Sequence, residues 1–128
     1  TLNVPVKNGF ITSKFGGRPD PFTGEDATHK GLDIAANTGE NIFSACDGIV
    51  SEVGYDETGY GKYIIISHSK DFKTLYAHCS QIILEEGKEV KSGDIIAKVG
   101  STGYSTGPHC HFEVMINGQH TNPMPYLK

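Results

Sequence analysis

The stretch Tyr63-Ile64-Ile65-Ile66-Ser67-His68-Ser69-Lys70-Asp71-Phe72-Lys73-Thr74-Leu75-Tyr76-Ala77-His78 lies within Lys62 to Glu86, the longest segment free of Gly and Pro. It does not read as one helix. Tyr63 to Ile66 is a short β-branched run, Ser67 to Asp71 reads as a turn, and Thr74 to His78 reads as a second strand. Outward from this pair, further strands are expected over Phe10–Phe15, Gly31–Ala35, Asn41–Ala45, Gly48–Gly54, Asp94–Gly100 and Pro108–Asn117. Gln81 to Leu84 fits a helical turn or a strand equally well. Eight or nine short strands separated by turn signals predict an all-β domain. The expected form is an antiparallel sandwich or barrel-like arrangement with long loops around a groove. Thr1 to Asn8 reads as a lead-in segment and Asn122 to Tyr126 as a closing turn, so residues 1–128 form one expected domain.

Composition points the same way. Of 128 residues 16 are Gly, Ile (12), Val (7) and Thr (10) outnumber Leu (5), and Trp is absent, which disfavours a helix bundle. The formal charge is −4, from 11 basic and 15 acidic side chains, and argues against a nucleic-acid partner. No apolar run is long enough to span a membrane, and no basic segment followed by an apolar stretch opens the chain. Three cysteines cannot form a complete disulfide framework. The expected state is buried free thiols, with a Cys79–Cys110 bridge as the minor alternative.

Six histidines direct attention to metal chemistry. In a strand His109 and His111 share a face about 6.6 Å apart, close enough to converge on one ion. His29 and Asp33 would lie about 13 Å apart in a straight strand, so they can share a metal only if the chain bends, and Gly31 permits that bend. His29, Asp33 and one of the paired histidines then make the three protein ligands of a catalytic zinc site. Glu113 shares the strand face of His109 and His111 and can orient a ligand or form a plain salt bridge. Tyr55, Tyr60, Tyr63 and Tyr104 lie in or near loops that could wall a substrate groove. His68 and His120 read as solvated side chains. Gly103-Tyr104-Ser105-Thr106-Gly107 fits the G-x-S-x-G pattern, but Pro108 and a strand follow where that motif needs a helix.

Several motifs in order carry a family resemblance. They are Ser13-Lys14-Phe15-Gly16-Gly17-Arg18, His29-Lys30-Gly31-Leu32-Asp33, Gly59-Tyr60-Gly61, Tyr76-Ala77-His78, and the run from Gly100 through His109-Cys110-His111-Phe112-Glu113. From about Phe10 to Leu127 the chain resembles the lysostaphin-type (LytM-like) zinc metalloendopeptidases, which hydrolyse bacterial peptidoglycan. The resemblance implies Zn2+ as cofactor, with His29, Asp33 and His111 as its ligands and His78 and His109 as catalytic histidines beside it. It implies peptidoglycan as partner and an extracytoplasmic or virion-associated setting, within a larger protein. The apolar residues usual in the family after Tyr-Ala-His and between the paired histidines are Cys79 and Cys110 here. Three rival readings fit parts of the pattern: a catalytically silent scaffold or activator of the same fold, a glucose-type phosphocarrier, and a lipoyl or biotin carrier. The phosphocarrier leaves His109-Cys110-His111 without a role, and the carrier lacks a suitably placed lysine.

Overall fold

A computed structural model describes residues 2–19 and 26–127. Its strands are β1 (Phe10–Ser13), β2 (Gly16–Pro19), β3 (Asp26–His29), β4 (Leu32–Ala35), β5 (Asn41–Phe43), β6 (Gly48–Asp56), β7 (Gly61–Ser69), β8 (Phe72–Ile82), β9 (Glu89–Val90), β10 (Ile95–Val99), β11 (His109–Ile116) and β12 (Gln119–Thr121). A 3-10 turn over Met124–Tyr126 follows, at the expected closing turn. The fold is all-β and antiparallel, as the sequence implies. One sheet runs β1-β4-β11-β8-β7-β6-β9, with β12 beside β11 and β10 bridging β8 to β5; β2 and β3 form a separate ribbon.

The core follows from strand alternation. Leu32 and Ile34 of β4, Ile64 and Ile66 of β7, Tyr76 of β8, Ile96 and Val99 of β10, and Cys110, Phe112 and Val114 of β11 are all fully buried. The opposite face of β11 carries His109, His111 and Glu113. Burial on one face therefore aims the chemistry of the other.

β8 changes partners midway. Its first half pairs with β11 up to Ala77, whereas Cys79 to Ile82 pair with β10. Against β7, Tyr76 and Cys79 oppose Ile64 and Lys62, so β8 carries one residue more than its partner there. That bulge falls at the handover, and His78 occupies it with φ of +62°.

Two loops are locked together beside this corner. Thr102 Oγ1 accepts from the Lys62 amide (3.0 Å) and donates to Cys79 O (2.7 Å), and the Tyr104 amide donates to Gly59 O (2.8 Å). The approach is close enough that a Cβ on Gly103 would stand 2.2 Å from Gly61 N, and one on Gly61 would stand 2.3 Å from the Thr102 carbonyl carbon. Both glycines also hold positive φ, +75° and +63°.

Several expectations need correction. The segment read as a lead-in is integral from residue 2 onward: Leu2 and Val6 are buried, Leu2 forms a bridge with Leu127, and the Asn3 amide donates to Ala45 O (2.9 Å). The turn placed over Ser67–Asp71 is only Lys70 and Asp71, because β7 continues to Ser69. Gln81 and Ile82 extend β8. The strand count rises to twelve among the described residues because the two-residue β9 and the hairpin strands β2, β3 and β12 were not anticipated. The chain bends at Gly31 between β3 and β4, as expected, though without a positive φ. The requirement at Gly31 is close approach: a Cβ would lie 2.3 Å from Phe112 O. All three cysteines are free thiols; burial pushes Cys79 up to about 12 and Cys110 well above the ordinary range, as for small apolar residues.

His68 is likewise not a solvated side chain. Nδ1 lies 2.7 Å from Asp47 O, and Nε2 lies 2.8 Å from Thr74 Oγ1, itself 2.7 Å from the Tyr76 hydroxyl. The Tyr76 oxygen accepts from the Ala45 amide (2.9 Å). Because a carbonyl only accepts, Nδ1 carries the proton and the chain runs one way: Ala45 N–H to Tyr76, Tyr76 to Thr74, Thr74 to His68 Nε2, His68 to Asp47. A second ring proton would reverse one link. Burial accordingly holds the His68 pKa below its usual value, against the hydrogen bond to Asp47, which raises it.

Two predictions follow from these features. Acidification through about pH 6.5 protonates His68 in the unfolded chain while the folded state resists, so stability drains as pH falls through that value. His68→Gln should therefore show a smaller drop in urea midpoint between pH 7 and pH 5 than the parent; an equal drop would contradict the argument. Gly103→Ala should cost more than about 2 kcal/mol, seen as a lower thermal midpoint. Gly118→Ala, at φ +77° with open space around it, should cost only about 1 kcal/mol.

Candidate metal centre

Register assembles the site. In the β4–β11 ladder Asp33 stands opposite His111, and Ala35 opposite His109. Paired residues share a face, so the Asp33 carboxylate projects among the histidines of β11. His29 arrives from the end of β3, paired with Gly16 of β2. His78 is delivered from the β8 bulge.

Every ring is fixed through its outer nitrogen. His29 Nδ1 donates to Lys14 O (3.0 Å), His78 Nδ1 to Thr102 O (2.8 Å), and His109 Nδ1 to Gly107 O (2.9 Å). In His111 the roles of the nitrogens are exchanged: Nε2 donates to Glu113 Oε2 (2.8 Å) and Nδ1 faces Asp33 Oδ1 (2.7 Å). His29 Nε2 lies 3.3 Å from Asp33 Oδ2 and His109 Nε2 3.8 Å from Asp33 Oδ1. The rings of His78 and His109 are 4.7 Å apart between centroids.

Donor atoms of His29, Asp33 and His111 all lie within 4.8 Å of one another. His109 stands further from the carboxylate than His111 does. Two imidazole nitrogens and one carboxylate oxygen, each imidazole oriented by a bond on its far side, make a donor set suited to a divalent transition-metal ion. A proton on His111 Nδ1 would satisfy its short contact with Asp33 Oδ1. Burial works against the charged ring, but the bonds to Asp33 and Glu113 outweigh it and hold the His111 pKa at about 9. For Asp33 and Glu113 burial raises the pKa, and the hydrogen bonds to His111 outweigh it, so both are held below their usual values. His78 is pushed down by burial, against its bond to Thr102 O, and so favours the neutral form.

Glu113 is only 1% exposed and accepts three bonds, from His111, from the Tyr60 hydroxyl (2.7 Å) and from His120 Nε2 (2.9 Å). His120, read from sequence as solvated, is thus part of this cluster. Its signal is Asn117-Gly118, a two-residue hairpin turn that folds β12 onto β11 and sets His120 opposite Met115.

The centre lies in an open cavity of about 670 Å³ whose lining includes Lys30, Asp56, Thr58, Tyr60, Tyr104 and Thr106 besides the cluster. Of the four tyrosines expected at a groove, Tyr60 and Tyr104 line it, and Tyr104 is 81% exposed. Tyr55 and Tyr63 do not. Tyr55 points to solvent from β6, and the Tyr63 hydroxyl is taken by Glu52.

Comparison with known proteins places these features. Residues 27–123 match Peptidase family M23. The peptidoglycan DD-endopeptidase ShyC of Vibrio cholerae serotype O1 is 37% identical over 123 residues, covering 95% of this chain and 28% of that protein. The crystal structure of a zinc containing peptidase from Vibrio cholerae gives a TM-score of 0.89 at 38% identity, covering 94% of this chain and 38% of the other. The catalytic domain of the antimicrobial peptidase lysostaphin from Staphylococcus simulans gives 0.82 at 32% identity, covering 93% of this chain and 92% of that one. The chain spans about a quarter of the length of the curated relatives it matches. With this match across most of its length and a fold shared at that level of identity, the chain belongs to Peptidase family M23, the lysostaphin-like peptidases.

Proposed function

We propose that this domain is a zinc-dependent endopeptidase that hydrolyses peptide bonds in the cross-bridges or stem peptides of bacterial peptidoglycan. The observation that carries the reading is the gathering of four imidazoles around one carboxylate in an open groove, each ring tied to the framework on its far side. A similar protein is named a peptidoglycan DD-endopeptidase and a similar structure a zinc containing peptidase, which supports the substrate and the metal.

His29 Nε2, an Asp33 oxygen and His111 Nδ1 would hold the ion, the three protein ligands of a catalytic zinc site. When bound, zinc lowers the pKa of a water molecule towards about 7 and polarises a carbonyl. His78 and His109 handle the protons. With Nδ1–H committed to a backbone carbonyl, each presents the lone pair of Nε2 to the groove. Burial favours neutral His78, so it is able to take a proton there. The two rings stand 4.7 Å apart between centroids, so a proton taken up by one lies beside the other. The ring that holds it becomes an Nε2–H donor, able to stabilise an oxyanion or to pass the proton to the leaving amine. Peptidoglycan lies in the cell envelope, so the domain would act there, or from a virion, as part of a larger protein. No helix among the described residues is long and apolar enough to cross a membrane.

Incubating the zinc-loaded domain with purified peptidoglycans of different cross-bridge chemistry should release fragments whose new termini, read by mass spectrometry, identify the bond. Metal binding with no cleavage of any wall would turn the reading towards a silent scaffold or activator. Asp33→Ala should lose both metal and cleavage. His78→Ala should keep the metal and lower kcat by about 10²–10⁴-fold; full activity in that variant would remove His78 from the mechanism.

A further inference from the structure

Tyr60 touches both halves of the site through different atoms. Its hydroxyl donates to Glu113 Oε2 (2.7 Å), the same oxygen that accepts from His111 Nε2. Its ring stacks on the His111 ring, with centroids 5.9 Å apart and planes 27° from parallel. Its carbonyl accepts from the His78 amide (2.7 Å), inside the bulge that aims His78. The residue is itself pinned: its amide donates to Asp56 Oδ2 (3.3 Å), and Gly61 after it is wedged against Thr102, whose carbonyl holds His78 Nδ1.

We propose that Tyr60 is a positioning residue that sets the His111 ring and the His78 backbone relative to one another, acting on the metal through Glu113. Glu113 needs this help because it is a buried carboxylate whose orientation is decided by its donors. Oε1 takes His120 and Oε2 takes Tyr60 and His111, so the three fix the plane of the carboxylate. With the Tyr60 hydroxyl gone, Oε2 keeps only His111, and the carboxylate is free to tilt towards His120. The His111 ring then loses both its fixed partner and its defined direction towards Asp33. This inference rests on His29, Asp33 and His111 binding a metal ion, but not on which bond the domain cleaves.

Tyr60→Phe is the test, since it keeps the ring and the backbone and removes only the hydroxyl. Zinc affinity, measured by competition with a chromophoric chelator, should fall about 10-fold or more, the usual consequence of losing an orienting partner. On a cleavable peptidoglycan fragment kcat should fall with KM nearly unchanged. Tyr55→Phe, exposed and outside the lining of the groove, should match the parent in both measurements. Glu113→Leu removes the acceptor, so adding Tyr60→Phe to it should cost no further affinity. Zinc affinity in Tyr60→Phe within twofold of the parent would overturn the proposal, whether or not Glu113→Leu folds. So would a rise in KM alone, which would make Tyr60 a substrate contact. The affinity readout is independent of turnover, so a parent that binds zinc and cleaves nothing would defeat the peptidase reading while leaving this one standing.

Discussion

Asp33 faces His111 across the β4–β11 ladder, and the rest of the site is arranged around that pairing. Side chains alternate with a period of two, so a slip of one residue would send Asp33 into the core and bring Leu32 or Ile34 among the histidines. The register is held by what lies beneath it: Leu32, Ile34, Cys110, Phe112 and Val114 are all fully buried on the other face. Gly31 lets the chain enter β4 pressed against the Phe112 carbonyl, where any side chain would push the two strands apart. Hydrophobic burial, which has no chemical specificity of its own, thereby places a carboxylate beside a pair of imidazoles.

The polar side of β11 is as fully committed as the apolar side. Among the described residues no buried side-chain nitrogen or oxygen lacks a partner. The partners are chosen so that orientation is settled in advance. Carbonyls of Lys14, Thr102 and Gly107 can only accept, which fixes the tautomer of three rings, and Glu113 does the same for the fourth. The free nitrogen of each ring is then the one that faces the groove or the carboxylate. Little ordering is left to be done when a ligand arrives.

Much of this is legible in the sequence. β-branched runs and breakers located the long strands because their hydrophobic pattern is local. The His-x-His and His-x-x-x-Asp spacings drew attention to the side chains that gather around Asp33, whereas spacing alone left open which of His109 and His111 stands nearer that carboxylate. What escaped depends on partners distant in sequence. Leu2 and Val6 look like any leading segment until β5 and Leu127 close over them. His120 joins the cluster only through Glu113, and His68, outside that cluster, finds its partners in Thr74 and Asp47. Tyr60 and Tyr63 are three residues apart in sequence, yet one lines the groove and the other bonds Glu52, because that depends on the β8 bulge and on the loop against Thr102. Gly31 lies at the expected bend, but its need to admit a neighbouring backbone depends on β11, far along the chain. A sequence shows that a glycine is needed more readily than it shows why.

His78 sits in the bulge with a left-handed backbone, which any side chain adopts at a cost relative to glycine, although histidine, asparagine and aspartate tolerate it better than most. For folding alone glycine would suit the position better. Two pressures therefore oppose one another at a single codon, one favouring a relaxed chain and the other an imidazole. A library of this domain sorted by thermal resistance or yield would enrich glycine at position 78, and its most robust members would lack the imidazole at the groove. A lineage released from its chemical task would drift the same way, keeping the sheet and losing the ring.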